Sequence, residues 1–145
     1  MKRCLAAVLT LLLVGCGAVS TAPNAGQLLD APTNLNITGK VLTADAAPTL
    51  SGNVFSVKVR VLSPRAALPK LSVTDVYVVA NDGVWSAGIT KAAQWKCGNN
   101  CGLAVGRGPA DGMQAGQGVQ VVVSLKDAQG RTFLLRDAQA RVVGK

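Results

Sequence analysis

Cysteine and aspartate are the residue types in this 145-residue chain best suited to nucleophilic, redox, metal or acid-base chemistry, since the sequence contains neither His nor Glu. Cys97-Gly98-Asn99-Asn100-Cys101 sets two thiols four positions apart. That spacing admits a disulfide across a tight reversal, which Gly and Asn tolerate. It also admits a redox pair, which needs a lowered thiol pKa, or half of a metal site, which needs two further ligands. A Ser-His or Cys-His dyad has no base here, and neither Ser-x-x-Lys nor Gly-x-Ser-x-Gly occurs. All seven acidic residues are Asp. They are too dispersed for a calcium loop, and Asp82-Gly83 and Asp111-Gly112 read as turns. Gly106-Arg107-Gly108 lacks the third glycine of a dinucleotide loop. The expectation is a chain without catalytic residues, cofactor or metal, with a thiol-redox or other envelope enzyme using Cys97 and Cys101 as the alternative.

The region from Gly98 to Gly118 holds seven glycines and Pro109. That much backbone freedom reads as mostly loop rather than strand. Long loops in compact domains are often functional. Trp95, Arg107, Asp111 and Met113, in or beside it, offer an aromatic face, a charge, an acceptor and an adaptable apolar contact, and they are the candidate partner-binding residues.

The residues that would place this chemistry in a compartment come first in the chain. Lys2 and Arg3 precede an apolar run from Leu5 to Val14 interrupted by Thr10, the pattern of an export signal. The run is shorter than the ~20 residues that span a bilayer. It ends in Leu13-Val14-Gly15-Cys16, which resembles the lipobox of bacterial lipoproteins. The resemblance implies cleavage before Cys16, diacylglycerylation of its thiol, and anchorage to a membrane of the cell envelope. Gly17 in place of Asp leaves the outer membrane open as the destination. Residues 1–15 are then a lipoprotein signal peptide. Cys4 leaves with it and Cys16 is taken by lipid, so Cys97 and Cys101 remain to pair as a disulfide in an oxidising compartment.

Without Lys2 and Arg3, 13 Lys plus Arg stand against 7 Asp, a net charge of +6. The cations are scattered singly, so no nucleic-acid footprint is evident. Residues 16–34, rich in Gly, Ala, Ser, Thr, Pro and Asn, read as a lipidated flexible tether with a span of about 25 Å. Residues 35–145 are long enough for one core and read as a single, monomeric domain.

Its grammar is that of strands. Leu35, Ile37, Gly39 and Val41 alternate with polar residues, as do Val57, Val59 and Val61, and Val119, Val121, Val123 and Leu125. Residues 73–80 and 84–89 flank Asn81-Asp82-Gly83 as a hairpin with Trp85 inward. Further short strands are expected around 94–97 or 103–105, at 132–136 and at 140–143. Seven to nine strands with regular turns predict an all-β, two-sheet antiparallel sandwich, a closed barrel being the alternative. The alternating valines followed by Asp-x-x-Gly at residues 119–130 are similar to bacterial immunoglobulin-like and fibronectin-type modules, which implies an immunoglobulin-like sandwich. The function expected is a non-catalytic binding or structural module, held at the membrane by lipid, with an envelope protein or glycan as partner.

Overall fold

A computed structural model describes residues 22–81 and 83–145; the leader and Cys16 lie outside them. Among the described residues are ten strands: β1 (Leu35–Ile37), β2 (Lys40–Ser51), β3 (Val54–Leu62), β4 (Leu71–Ala80), β5 (Gly83–Gly88), β6 (Gln94–Gly98), β7 (Cys101–Pro109), β8 (Gly118–Asp127), β9 (Thr132–Arg141) and β10 (Val143–Gly144). One sheet runs β1-β2-β3-β7-β6, with β10 added in parallel to β2, and the other runs β5-β4-β8-β9. The two pack face to face as an all-β sandwich. The four-strand order β2-β3-β7-β6 opposite β5-β4-β8-β9 reproduces the ABED and C′CFG arrangement of immunoglobulin-like sandwiches. Among the described residues no helix is long and apolar enough to cross a membrane.

The core is built where the alternation pointed. Val57, Val59 and Val61 of β3 and Val119, Val121, Val123 and Leu125 of β8 are buried, and Trp85 is 5% exposed. Phe55 meets Trp85 edge to face with ring centroids 4.8 Å apart, a geometry the aromatic quadrupole favours. A bulge between Val73 and Asp75 lets both Val73 and Val76 face inward from β4.

Three expectations need correction. The alternating run at residues 35–41 is a hairpin, since Thr38 and Gly39 both adopt positive φ (50° and 83°) and Ile37 pairs with Lys40. The Asn36 carboxamide oxygen accepts from the Gly39 N–H at 2.9 Å. Reversal at that point buries Leu42 and exposes Val41. Residues 22–34 pack rather than hang free. A short helix, α1 (Ala25–Leu29), is closed by a capping box between Asn24 and Gln27. Leu28 and Ala31 are buried on the outer face of β8 against Val122, and Arg136 donates from its main chain to the Pro32 carbonyl and from Nε to that of Ala31. Burial pushes the pKa of the neighbouring Tyr77 phenol up, and the Asp75 charge adds to the effect.

The third correction concerns residues 98–118. Nine of them form β7, which pairs with β3 from Cys101 to Pro109. Its glycines serve close approach rather than chain reversal. Gly102, Gly106 and Gly108 occupy alternate inward positions around the fully buried Ala104. A Cβ on Gly106 would lie 2.5 Å from the Val76 methyl, and one on Gly108 would lie 3.3 Å from the Trp85 ring. Small residues at period two let the second sheet sit close against this strand. Gly106→Ala is therefore expected to destabilise the fold by roughly 1–3 kcal/mol through overpacking; a urea titration with an unchanged midpoint would contradict this.

Candidate binding face

The register of the larger sheet decides which side chains share its outer surface. Val57, Val59 and Val61 point inward, so Ser56, Lys58 and Arg60 point outward, and residues directly opposite them on β7 point the same way. Arg60 pairs with Leu103, Lys58 with Val105 and Ser56 with Arg107. Leu103 in turn pairs with Trp95 of β6. The outer face thus carries an apolar strip of Trp95, Leu103 and Val105 bordered by Lys58, Arg60 and Arg107. Trp95 is 50% exposed, far above Trp85 in the core. Asp45 is the acidic neighbour, opposite Arg60 on β2, and its carboxylate takes a 2.8 Å bond from that guanidinium. Both partners are at least half exposed, where such a pair contributes about 0–1 kcal/mol. Among the described residues, Lys58 and Arg107 form no ion pair.

Of the four residues singled out from the sequence, Trp95 and Arg107 belong to this face. Asp111 and Met113 do not. They lie in the connection of residues 110–117, past the end of β7, where a depression of about 350 Å³ also touches Val84 and Trp85. Leu103 and Pro109 are six residues apart on β7, about 20 Å at the rise of a strand, so the four do not converge. Met113 packs against the core. Main-chain bonds from Met113 to Ala110 and from Gly116 to Val142 hold the connection. Lys58, Arg60, Leu103 and Val105 were not singled out beforehand. Their signal is parity: they are the residues between the inward valines of β3 and the inward small residues of β7.

Beside this face, at the β6–β7 turn, a groove of about 390 Å³ opens between the sheets, lined in part by Leu68, Lys70, Trp95, Lys96 and Leu103. Cys97 and Cys101 are joined by the expected disulfide, with Cα atoms 5.0 Å apart. The bridge does more than close a local turn. The Asn99 and Asn100 carbonyls within it accept from the Leu68 and Ser63 N–H groups, so the crossing segment from β3 to β4 is tied to it. Gln94 closes the same gap: its carboxamide accepts from the Val73 N–H at 2.9 Å and donates to the Val73 carbonyl at 3.0 Å, imitating a strand pair between the sheets. Among the described residues no three Cys or Asp side chains gather as a metal would require.

Fold and face together define a class, a β-sandwich domain presenting a cationic, aromatic sheet surface. No protein-family model matches the chain, and no curated protein matches it in sequence.

Replacing Cys97 and Cys101 by Ser is expected to lower stability by roughly 2 kcal/mol, the loop-closure value for about five residues. It should also speed hydrogen exchange at the Ser63 and Leu68 amides more than in β8. Uniform exchange across both regions would mean that the bridge does not serve as the anchor for the crossing segment.

Proposed function

We propose that this protein is a lipid-anchored lipoprotein of the bacterial cell envelope whose β-sandwich is a non-catalytic binding module. The observation that carries the reading is the Cys97–Cys101 disulfide, a bond that persists in oxidising compartments. It occurs in a chain whose first sixteen residues have the pattern of an export leader ending in Leu13-Val14-Gly15-Cys16. Two or more acyl chains on Cys16 would anchor the protein stably, since each buried CH₂ contributes about 0.8 kcal/mol.

The docking of α1 shortens the tether on this reading. Five residues, 17–21, separate Cys16 from Ala22, a reach of at most about 22 Å over the six steps. Residues 22–34 are then committed to the smaller sheet, so that sheet stays near the lipid. The outer face bearing Trp95 belongs to the other sheet and points away, toward the envelope interior or exterior that the protein would survey.

The test is metabolic labelling with a fatty-acid analogue in a bacterial host. The intact chain should take up label and partition with membranes, and Cys16→Ser should lose both. Labelling that survives the substitution would overturn the anchor.

A further inference from the structure

We propose that the outer face formed by β3, β7 and β6 binds an acidic polysaccharide, with a sugar ring stacked on Trp95 and its neighbours' carboxylates held by Lys58 and Arg107. The inference rests on the reading of the domain as a binding module and is independent of the lipid anchor. Three observations support it. The face is cationic, its acidic neighbour Asp45 is already engaged by Arg60, and Lys58 and Arg107 lie exposed on it. Its aromatic, Trp95, is half exposed on the sheet surface, and an electron-rich π-face is complementary to the weakly polarised C–H groups of a pyranose. Its shape is a strip: Leu103 to Arg107 runs along β7 for about 13 Å.

A folded protein partner fits this surface less well. A stable protein interface buries about 800 Å² per partner around a desolvated apolar centre, commonly an aromatic anchor in a pocket. Here the apolar centre is three side chains, Trp95, Leu103 and Val105, bordered by the charges of Lys58, Arg60 and Arg107. A hydrated, extended polyanion needs no such centre. It gains affinity by repeating one weak contact along its length, and its charges match those of the face. Arg60 can join without leaving Asp45, because a guanidinium has five donors.

The experiment uses the full chain in detergent micelles with three probes: polygalacturonate as the acidic polysaccharide, dextran as the neutral one and polyglutamate as the acidic polypeptide. Polygalacturonate should bind, with affinity falling as salt is raised. Trp95→Ala and the double change Lys58→Gln with Arg107→Gln should each weaken it by about tenfold, equivalent to about 1.4 kcal/mol. The charge-matched control Lys126→Gln with Arg131→Gln, at the β8–β9 end of the smaller sheet and away from the face, should stay within about twofold of wild type on that scale. All the substituted side chains are at least half exposed or on the surface, and matching melting curves would confirm that the variants fold. Polyglutamate binding as tightly as polygalacturonate would overturn the proposal in favour of an acidic protein partner. No binding, equal binding of dextran, or equal losses in face and control variants would also overturn it, and none of these would alter the outcome of the Cys16 labelling.

Discussion

The contact on which the sandwich depends is the approach of β7 to β4 and β5. Gly106 lies against Val76 so closely that a methyl group cannot be added without displacement, and Gly108 takes the edge of Trp85. Trp85 is fixed there twice, by its edge-to-face packing on Phe55 and by an Nε1–H donated to the Pro109 carbonyl at 2.7 Å. A buried indole requires such a partner. Because the small side chains face inward, the large ones of β7 must face outward, and this parity puts Leu103, Val105 and Arg107 on the surface. The binding face is thus the reverse side of the packing solution.

The same constraint separates the roles of the two sheets. β8 is buried on both sides, with Val121 and Val123 in the main core and Val122 beneath Leu28 and Ala31. Burying a leucine side chain contributes about 1.5–3 kcal/mol, enough to hold a five-residue helix that would be marginal alone. The smaller sheet therefore carries an outer face partly covered by α1, and the larger sheet a bare one.

How much of this was legible in the sequence follows from what each segment packs against. Val57, Val59 and Val61 have one buried and one wet face, so their alternation was readable, as was the hairpin around Trp85. The glycines of β7 were not, because Gly is also the residue of turns, and only the position of Val76 and Trp85 in space distinguishes room for a neighbour from freedom of the chain. Their period of two, with Ala104 between, was a usable sign. Leu28 gave little sign of docking, since its partners are more than forty residues distant. The unbroken triplet Val121-Val122-Val123 was the hint that β8 has two buried faces. Of the candidate contacts, Trp95 and Arg107 were recoverable by type, whereas Lys58 and Arg60 acquire meaning only through the register of β3 with β7.

The edges of the sandwich explain why a face rather than a strand edge is the natural docking surface. An unpaired edge invites strand addition, and proteins blunt it with short strands, bulges, charge and proline. β6 has five residues, a register shift between Lys96 and Gly98, and a lysine within it. Along β2, the stretch between its pairings with β1 and β10 contains Pro48, which lacks an N–H. In the same stretch the Ala46 N–H is taken by the Asp137 carboxylate of β9 at 2.8 Å. With those main-chain groups removed or occupied, recognition at the larger sheet falls to side chains. The side chains its outer surface offers are an indole, the aliphatic groups of Leu103 and Val105, and a set of cations.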